Sequence, residues 1–197
     1  MATFGGPNLE LDNIILYLDS TNSKSYINNQ TNWLDLSSFR NQMTLNDTTF
    51  DTLDSSLVLS NVNSKLNATI PINALPNITI SFIVKLKGAL NEIQSFTKNS
   101  VLISGLNQNV SKFNIITKTF TNNSSNITEK TYLNGEKLNE TTYLDSNFLN
   151  FSTLKIEINT TNKSGTAKIQ NLLIYNIALS DTQIQQNYNA VKTRFGL

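Results

Sequence analysis

Between residues 14 and 177 the apolar residues recur with a period of two, in short runs broken by turn formers, and a helical period is almost absent until residue 181. Successive side chains of a strand point to opposite faces, so this alternation marks half-buried strands. The strongest run is Asn77 to Lys87: Ile78, Ile80, Phe82, Val84 and Leu86 share one face, and Thr79, Ser81, Ile83, Lys85 and Lys87 the other. From Leu66 to Ile72, Leu66, Ala68, Ile70 and Ile72 alternate with Asn67, Thr69 and Pro71, where the proline suits an edge or a strand end. Ile14 to Leu18 reads as a first strand ended by Asp19-Ser20-Thr21-Asn22, and Ser56 to Ser60, Val101 to Ser104, Phe113 to Phe120 and Leu154 to Asn159 as further strands. Met43 to Leu45 and Thr48 to Phe50 are weaker candidates. Thr128 to Leu133 and Glu136 to Leu138 flank Asn134-Gly135, the pair suited to a two-residue turn with positive φ at both positions. Residues 139–151 read as a loop carrying Tyr143, Phe148 and Phe151, and 162–165 as a turn. Ten or more short strands without a linker or internal repeat predict an all-β domain of two antiparallel sheets packed face to face.

The chain closes differently. Residues 167–177 form a dense apolar run, a strand buried in a sheet, and residues 181–194 read as a helix. Ser180 and Gln183 have the spacing of a capping box, in which each side chain satisfies a backbone donor left over at a helix start. Ile184, Tyr188, Val191 and Phe195 fall on one helical stripe, Lys192 and Arg194 sit in the last turn, and Gly196 suits a C-cap. These residues are expected to close the fold by covering an end or edge of the sandwich. At the other terminus, residues 1–13 read as an extended arm before a single domain spanning 14–197.

Composition excludes several function classes. The net charge is +1, from 15 basic and 14 acidic residues with no basic cluster, so neither nucleic acid nor an anionic membrane surface is an expected partner. Cysteine and histidine are absent, which removes disulfides, thiol chemistry, Cys/His zinc sites and His-containing triads. Asn, Ser and Thr together exceed a third of the chain, so finding them in any one loop is no evidence of a ligand site. Met1 to Pro7 has neither the positive region nor the apolar core of a secretory signal, and no run reaches the length of a membrane span.

Several stretches together resemble the laminin-G-like, or concanavalin-A-like, jelly-roll domains in the version found in bacteriophage structural proteins. They are Leu16 to Asp19 with Asn22, Ser25-Tyr26, Thr31, Trp33 and Asp35-Leu36-Ser37; Thr79 to Lys85; Tyr132 to Gly135; and Ile174 to Asp181 with Ile184, Gln186 to Ala190 and Arg194 to Leu197. The resemblance covers essentially the whole chain, and the first and last stretches carry most of it. At the position of a frequent Phe-Asp-Gly segment this chain has Leu59-Ser60-Asn61, which weakens the transfer of a calcium or sugar site. The resemblance implies adhesion, carbohydrate binding or virion architecture, and in some relatives glycoside hydrolysis.

The residues give catalysis little material. A glycosidase needs two carboxylates across the scissile bond. Glu129, Glu136, Glu140 and Glu157 lie among Lys, Thr and Asn, and only Glu136 and Glu140 have strand-compatible spacing; Asp51 and Asp54 fall in a turn-like stretch. No catalytic residue is expected. Calcium needs clustered oxygen ligands; some of Asp19, Asp35, Asp47, Asp51 and Asp54 could converge after folding, but they show no dedicated loop spacing, so no cofactor is expected and calcium stays open without support. The lone Trp33 fits either a sugar-stacking platform or, more commonly, a packing anchor, and Trp33 and Tyr143 are the candidate glycan contacts.

The resulting expectation is a non-enzymatic structural protein of a tailed-phage virion, made in the host cytoplasm. It would decorate the capsid or form part of a fibre or tail, against other virion proteins in symmetric multiple copies. The alternative is a carbohydrate-binding adhesion module for host surface glycans, with a glycosidase last.

Overall fold

The computed structural model describes residues 8–61, 63–71, 77–87, 93–95, 101–103, 112–144, 153–160 and 166–197. Residues 1–7 of the expected arm, Ile72, Ser104, Phe148, Phe151 and the turn at 162–165 lie outside them. In chain order the strands are β1 (Ile14–Asp19), β2 (Asn32–Leu34), β3 (Gln42–Asn46), β4 (Thr49–Asp51), β5 (Ser56–Leu59), β6 (Lys65–Pro71) and β7 (Asn77–Lys87), followed by β8 (Ile93–Ser95), β9 (Val101–Ile103), β10 (Asn114–Asn122), β11 (Ile127–Leu133), β12 (Glu136–Tyr143), β13 (Thr153–Thr160) and β14 (Thr166–Tyr175). One helix, α1 (Asp181–Val191), follows them.

The strands form two antiparallel sheets. The larger runs β12-β11-β10-β7-β14-β5-β4, with β1 also paired to β14; the smaller runs β2-β3-β6-β13-β8-β9. This is a jelly-roll-type sandwich. The core between the sheets holds Ile78, Ile80, Phe82 and Val84 of β7 against Met43, Leu45, Leu66, Ile70, Ile156 and Ile158 of the smaller sheet. Pro71 ends β6 opposite Thr153, so it marks a strand end and not a sheet edge.

β14 is the spine of the larger sheet. One side pairs along its whole length with β7, and the other is shared between β5 at residues 167–169 and β1 at residues 171–175. A bulge between Ile169 and Asn171 changes its parity: Ala167 and Ile169 point inward before it, Leu172 and Ile174 after it. The bulge explains why this run lacks clean alternation in the sequence. The carbonyl of Gln170 accepts from the amide of Ser20, at 2.9 Å, and from its hydroxyl, at 3.0 Å. Lys168 joins β14 to the β4–β5 corner by ion pairs with Asp51 and Asp54. Burial alone would lower the Lys168 pKa, but the two carboxylates outweigh it and raise it.

The Asn134-Gly135 hairpin forms with φ of 51° and 87°, the positive pair its sequence requires. Its second strand runs on to Tyr143, so residues 139–143 belong to an edge strand and not to a loop. Residues 136–142 are exposed throughout, which is why they carry no apolar period.

The helix ends at Val191, short of residue 194; Lys192 is its C-cap, and the last residues turn with Gly196 at φ 65°. Both halves of the Ser180–Gln183 capping box are present. The helix lies on the outer face of the larger sheet and not over an end or edge of the sandwich. That face is apolar: Leu173, Tyr175 and Tyr132 pack with Ile184, and Ile83 and Ile115 pack with Phe195, Tyr188 and Val191. A sheet with two apolar faces needs a layer on each. The side of β7 carrying Thr79, Ser81 and Ile83 is therefore buried under α1.

Candidate functional site

The two sheets end together on one side, where β4 closes the larger and β2 the smaller. Only Asp47 and Thr48 separate β3 from β4, so the chain crosses between the sheets there. The segment between β1 and β2 lies against the same corner, held by a 2.8 Å hydrogen bond from the Leu45 amide to the Thr31 carbonyl. Between them is an open cleft of about 440 Å³.

Its floor is aromatic. The rings of Tyr26 and Phe50 meet at 4.9 Å between centroids, tilted by 44°. Tyr26 is buried and Phe50 half-buried against the main core, so both are held by packing. Burial raises the Tyr26 pKa, with the Asn29 backbone amide opposing it, so its hydroxyl stays neutral. The walls are Asn28, Asn29, Gln30 and Thr31 on one side and Asp47, Thr48 and Thr49 on the other. Asn28, Asn29, Gln30, Asp47 and Thr49 are exposed. Asn29 and Asp47 take left-handed backbone, at φ 71° and 44°. Short polar side chains tolerate that conformation best. The Asp47 carbonyl is tied down by the Ser64 hydroxyl at 2.6 Å. The result is a part-exposed Phe50 ring, backed by the buried Tyr26 and rimmed by amides and hydroxyls, an arrangement suited to stacking on and hydrogen-bonding a small polyhydroxylated ligand.

A second opening of about 580 Å³ separates residues 11–17 from the 36–39 loop, with Leu11 and Phe39 exposed on it. It is less enclosed by polar groups and lacks a paired aromatic floor.

Trp33 does not face either opening. It is fully buried in β2 within the main core, and its Nε1 has no hydrogen-bond partner among the described residues. A ring with no accessible face cannot stack on a sugar, so the platform expectation gives way to the packing one. Tyr143 lies on β12, the opposite edge of the larger sheet from β4, so the structure does not bring the two together. Its hydroxyl donates to Glu129, which also pairs with Lys118, and burial followed by the Glu129 bond raises its pKa.

The carboxylates are accounted for individually. Asp19 is fully buried and accepts from Arg194 at 2.8 Å and from Thr21. Asp35 accepts from the amides of Tyr17, Ser37 and Asn41 and from the Ser37 hydroxyl. Asp51 and Asp54 hold Lys168. Glu136 and Glu140 are exposed on β12, where Glu140 pairs with Lys137 at 3.0 Å. The Glu157 side chain lies outside the described residues. Among those described, no group of three or more Asp or Glu could hold a metal ion. Asp47 is the one carboxylate in the cleft lining, so the pair needed for glycoside hydrolysis does not form there.

Tyr26 and Phe50 are legible in the sequence only as loop and weak-strand aromatics. Their partnership depends on the β3–β4 crossover, and Asn28, Gln30 and Asp47 are lost among the many Asn, Ser and Thr loops.

The fold and cleft together define a two-sheet sandwich with a polar surface cleft. No family model matches the sequence, and no curated protein sequence matches it. Solved structures do match by fold. The binding domain of botulinum neurotoxin DC in complex with SialylT aligns with TM-score 0.69 and 19% identity, over 91% of this chain and 51% of that one. The same domain in complex with rat synaptotagmin II gives TM-score 0.67 and 19% identity, over 91% and 52%. The serotype D ligand-binding domain in complex with N-acetylneuraminic acid gives 0.63 and 18%, over 90% and 50%. The chain thus spans about half the length of these domains, and identity this low establishes the fold alone.

Proposed function

We propose that the protein is a non-catalytic carbohydrate-binding adhesion module whose ligand sits in the cleft between the 26–31 segment and the β3–β4 corner. The observation that carries this is the Phe50 ring, held from behind by Tyr26, beneath a rim of amide and hydroxyl side chains. The fold neighbours add support in kind, since their structures are of receptor-binding domains, some holding N-acetylneuraminic acid, SialylT or a protein receptor. The virion structural role, with its capsid or fibre partners and virion location, rests on the sequence resemblance of the two chain ends. A surface glycan module is compatible with a place on a particle.

The test is a glycan array followed by saturation-transfer NMR on the hits. Binding should fall at least about fivefold in Asn28→Ala/Gln30→Ala, because both side chains are exposed and their loss leaves the core intact. Phe39→Ser, in the other opening, should bind as the parent does. Flat curves across the array would remove the proposal.

A further inference from the structure

The charge of the cleft narrows the ligand class, given that the cleft is a glycan site. We infer that it selects uncharged sugars and rejects sialylated, sulfated and other anionic glycans. A cation, or a cluster of free backbone amides, gives the carboxylate or sulfate of an anionic sugar its strongest hold. The described lining contains no Lys or Arg, and its one charged side chain is the exposed Asp47. Among the described residues no hydrogen bond or ion pair engages that carboxylate, whereas Asp19, Asp35, Asp51 and Asp54 are all satisfied by protein donors. The nearby basic residues do not compensate. Lys65 stands opposite Asn46 in the β3–β6 ladder and Lys24 lies earlier in the 20–31 segment, and neither lines the cleft.

An unpaired carboxylate at the rim can accept hydrogen bonds from sugar hydroxyls, which are donors as well as acceptors. The same group repels a second carboxylate, and like charges brought together at an interface are strongly disfavoured. The Asp47 backbone is fixed in place, left-handed and with its carbonyl held by Ser64, so the carboxylate stays rooted at the rim of the cleft whichever rotamer it takes. The chain would then share a fold with sialic-acid-binding neighbours and differ from them in ligand charge.

Matched pairs of oligosaccharides differing only by a terminal sialic acid provide the test, measured by NMR titration at low and at physiological salt. The asialo member should bind at least about tenfold more tightly, with the gap shrinking as salt rises. Asp47→Asn keeps a side chain suited to left-handed backbone and should narrow the gap several-fold by admitting the sialylated member. Equal or tighter binding of the sialylated member by the parent protein overturns the inference and leaves the glycan site standing. A gap that Asp47→Asn does not change overturns the role of Asp47. Binding of neither member, nor of any array sugar, overturns both the site and its selectivity.

Discussion

At the residue scale, a few polar groups tie segments far apart in sequence. Asn187 is buried; its Oδ1 accepts from the Glu10 amide at 2.7 Å, and its Nδ2 donates to the Tyr175 hydroxyl at 3.1 Å. Tyr175 in turn donates to the Glu10 carbonyl at 3.0 Å. One amide thus joins the entry segment, the spine strand and the helix. Asn187→Ala leaves two partners short of a bond and should cost about 1 to 3 kcal/mol in urea unfolding. Gly135 presents the opposite problem, of space. At φ 87° a side chain is strained, and a Cβ would meet the Tyr188 Cβ at 3.1 Å and the Gln185 side chain at 3.0 Å. Gly135→Ala should therefore destabilise by about 1 to 2 kcal/mol from backbone strain alone, and more if the helix must shift; circular dichroism melting reads the change.

At the element scale, the helix is the covering layer of the larger sheet. Its start is capped locally by the Ser180–Gln183 box and tied to the sheet by the Tyr132 hydroxyl, which donates to Asp181 at 2.7 Å. Ser180→Ala should cost about 1 kcal/mol. Truncation after Ser180 uncovers Ile83, Ile115, Leu173 and Tyr132. It also removes Ile184 and Phe195, each of which contributes about 1.5 to 3 kcal/mol when buried. The truncate should bind a hydrophobic dye and aggregate; a soluble truncate with an unchanged melting temperature would show that the helix is an appendage.

At the scale of the whole molecule, stability rests on β14, which touches three strands of its sheet and supplies both apolar layers. Leu172→Ala should cost about 2 to 5 kcal/mol. The pH response is also collective. Tyr132, Tyr143 and Tyr175 all have pKa values raised above the usual value, in each case first by burial; acceptance by Asp181 and by Glu129 adds to the first two, while the Asn187 bond opposes the third. A raised folded pKa means that the native state keeps its proton when the unfolded chain has lost it. Stability from these groups is thus complete below about pH 10 and is lost as pH climbs above it. Melting temperatures recorded from pH 8 to pH 11.5 should stay level and then drop, and Tyr175→Phe should soften the drop.

What the amino-acid sequence determined by itself was local: strands wherever side chains alternate, the Asn134-Gly135 turn, and the capped closing helix. Each of these depends on neighbours within a few residues, so the chain spells them out. Only the tertiary structure decided what depends on distant partners. The β14 bulge reverses which residues face inward, and its carbonyl is satisfied by Ser20, about 150 positions away. The outer face of the larger sheet is apolar because a helix covers it, and Trp33 is a core residue because its side chain on edge strand β2 turns into the core between the sheets. The cleft exists because β3 crosses to β4 at the corner where both sheets end. That crossover brings Tyr26 to Phe50 and sets Asp47 across from Gln30, a meeting of three segments that no local pattern encodes.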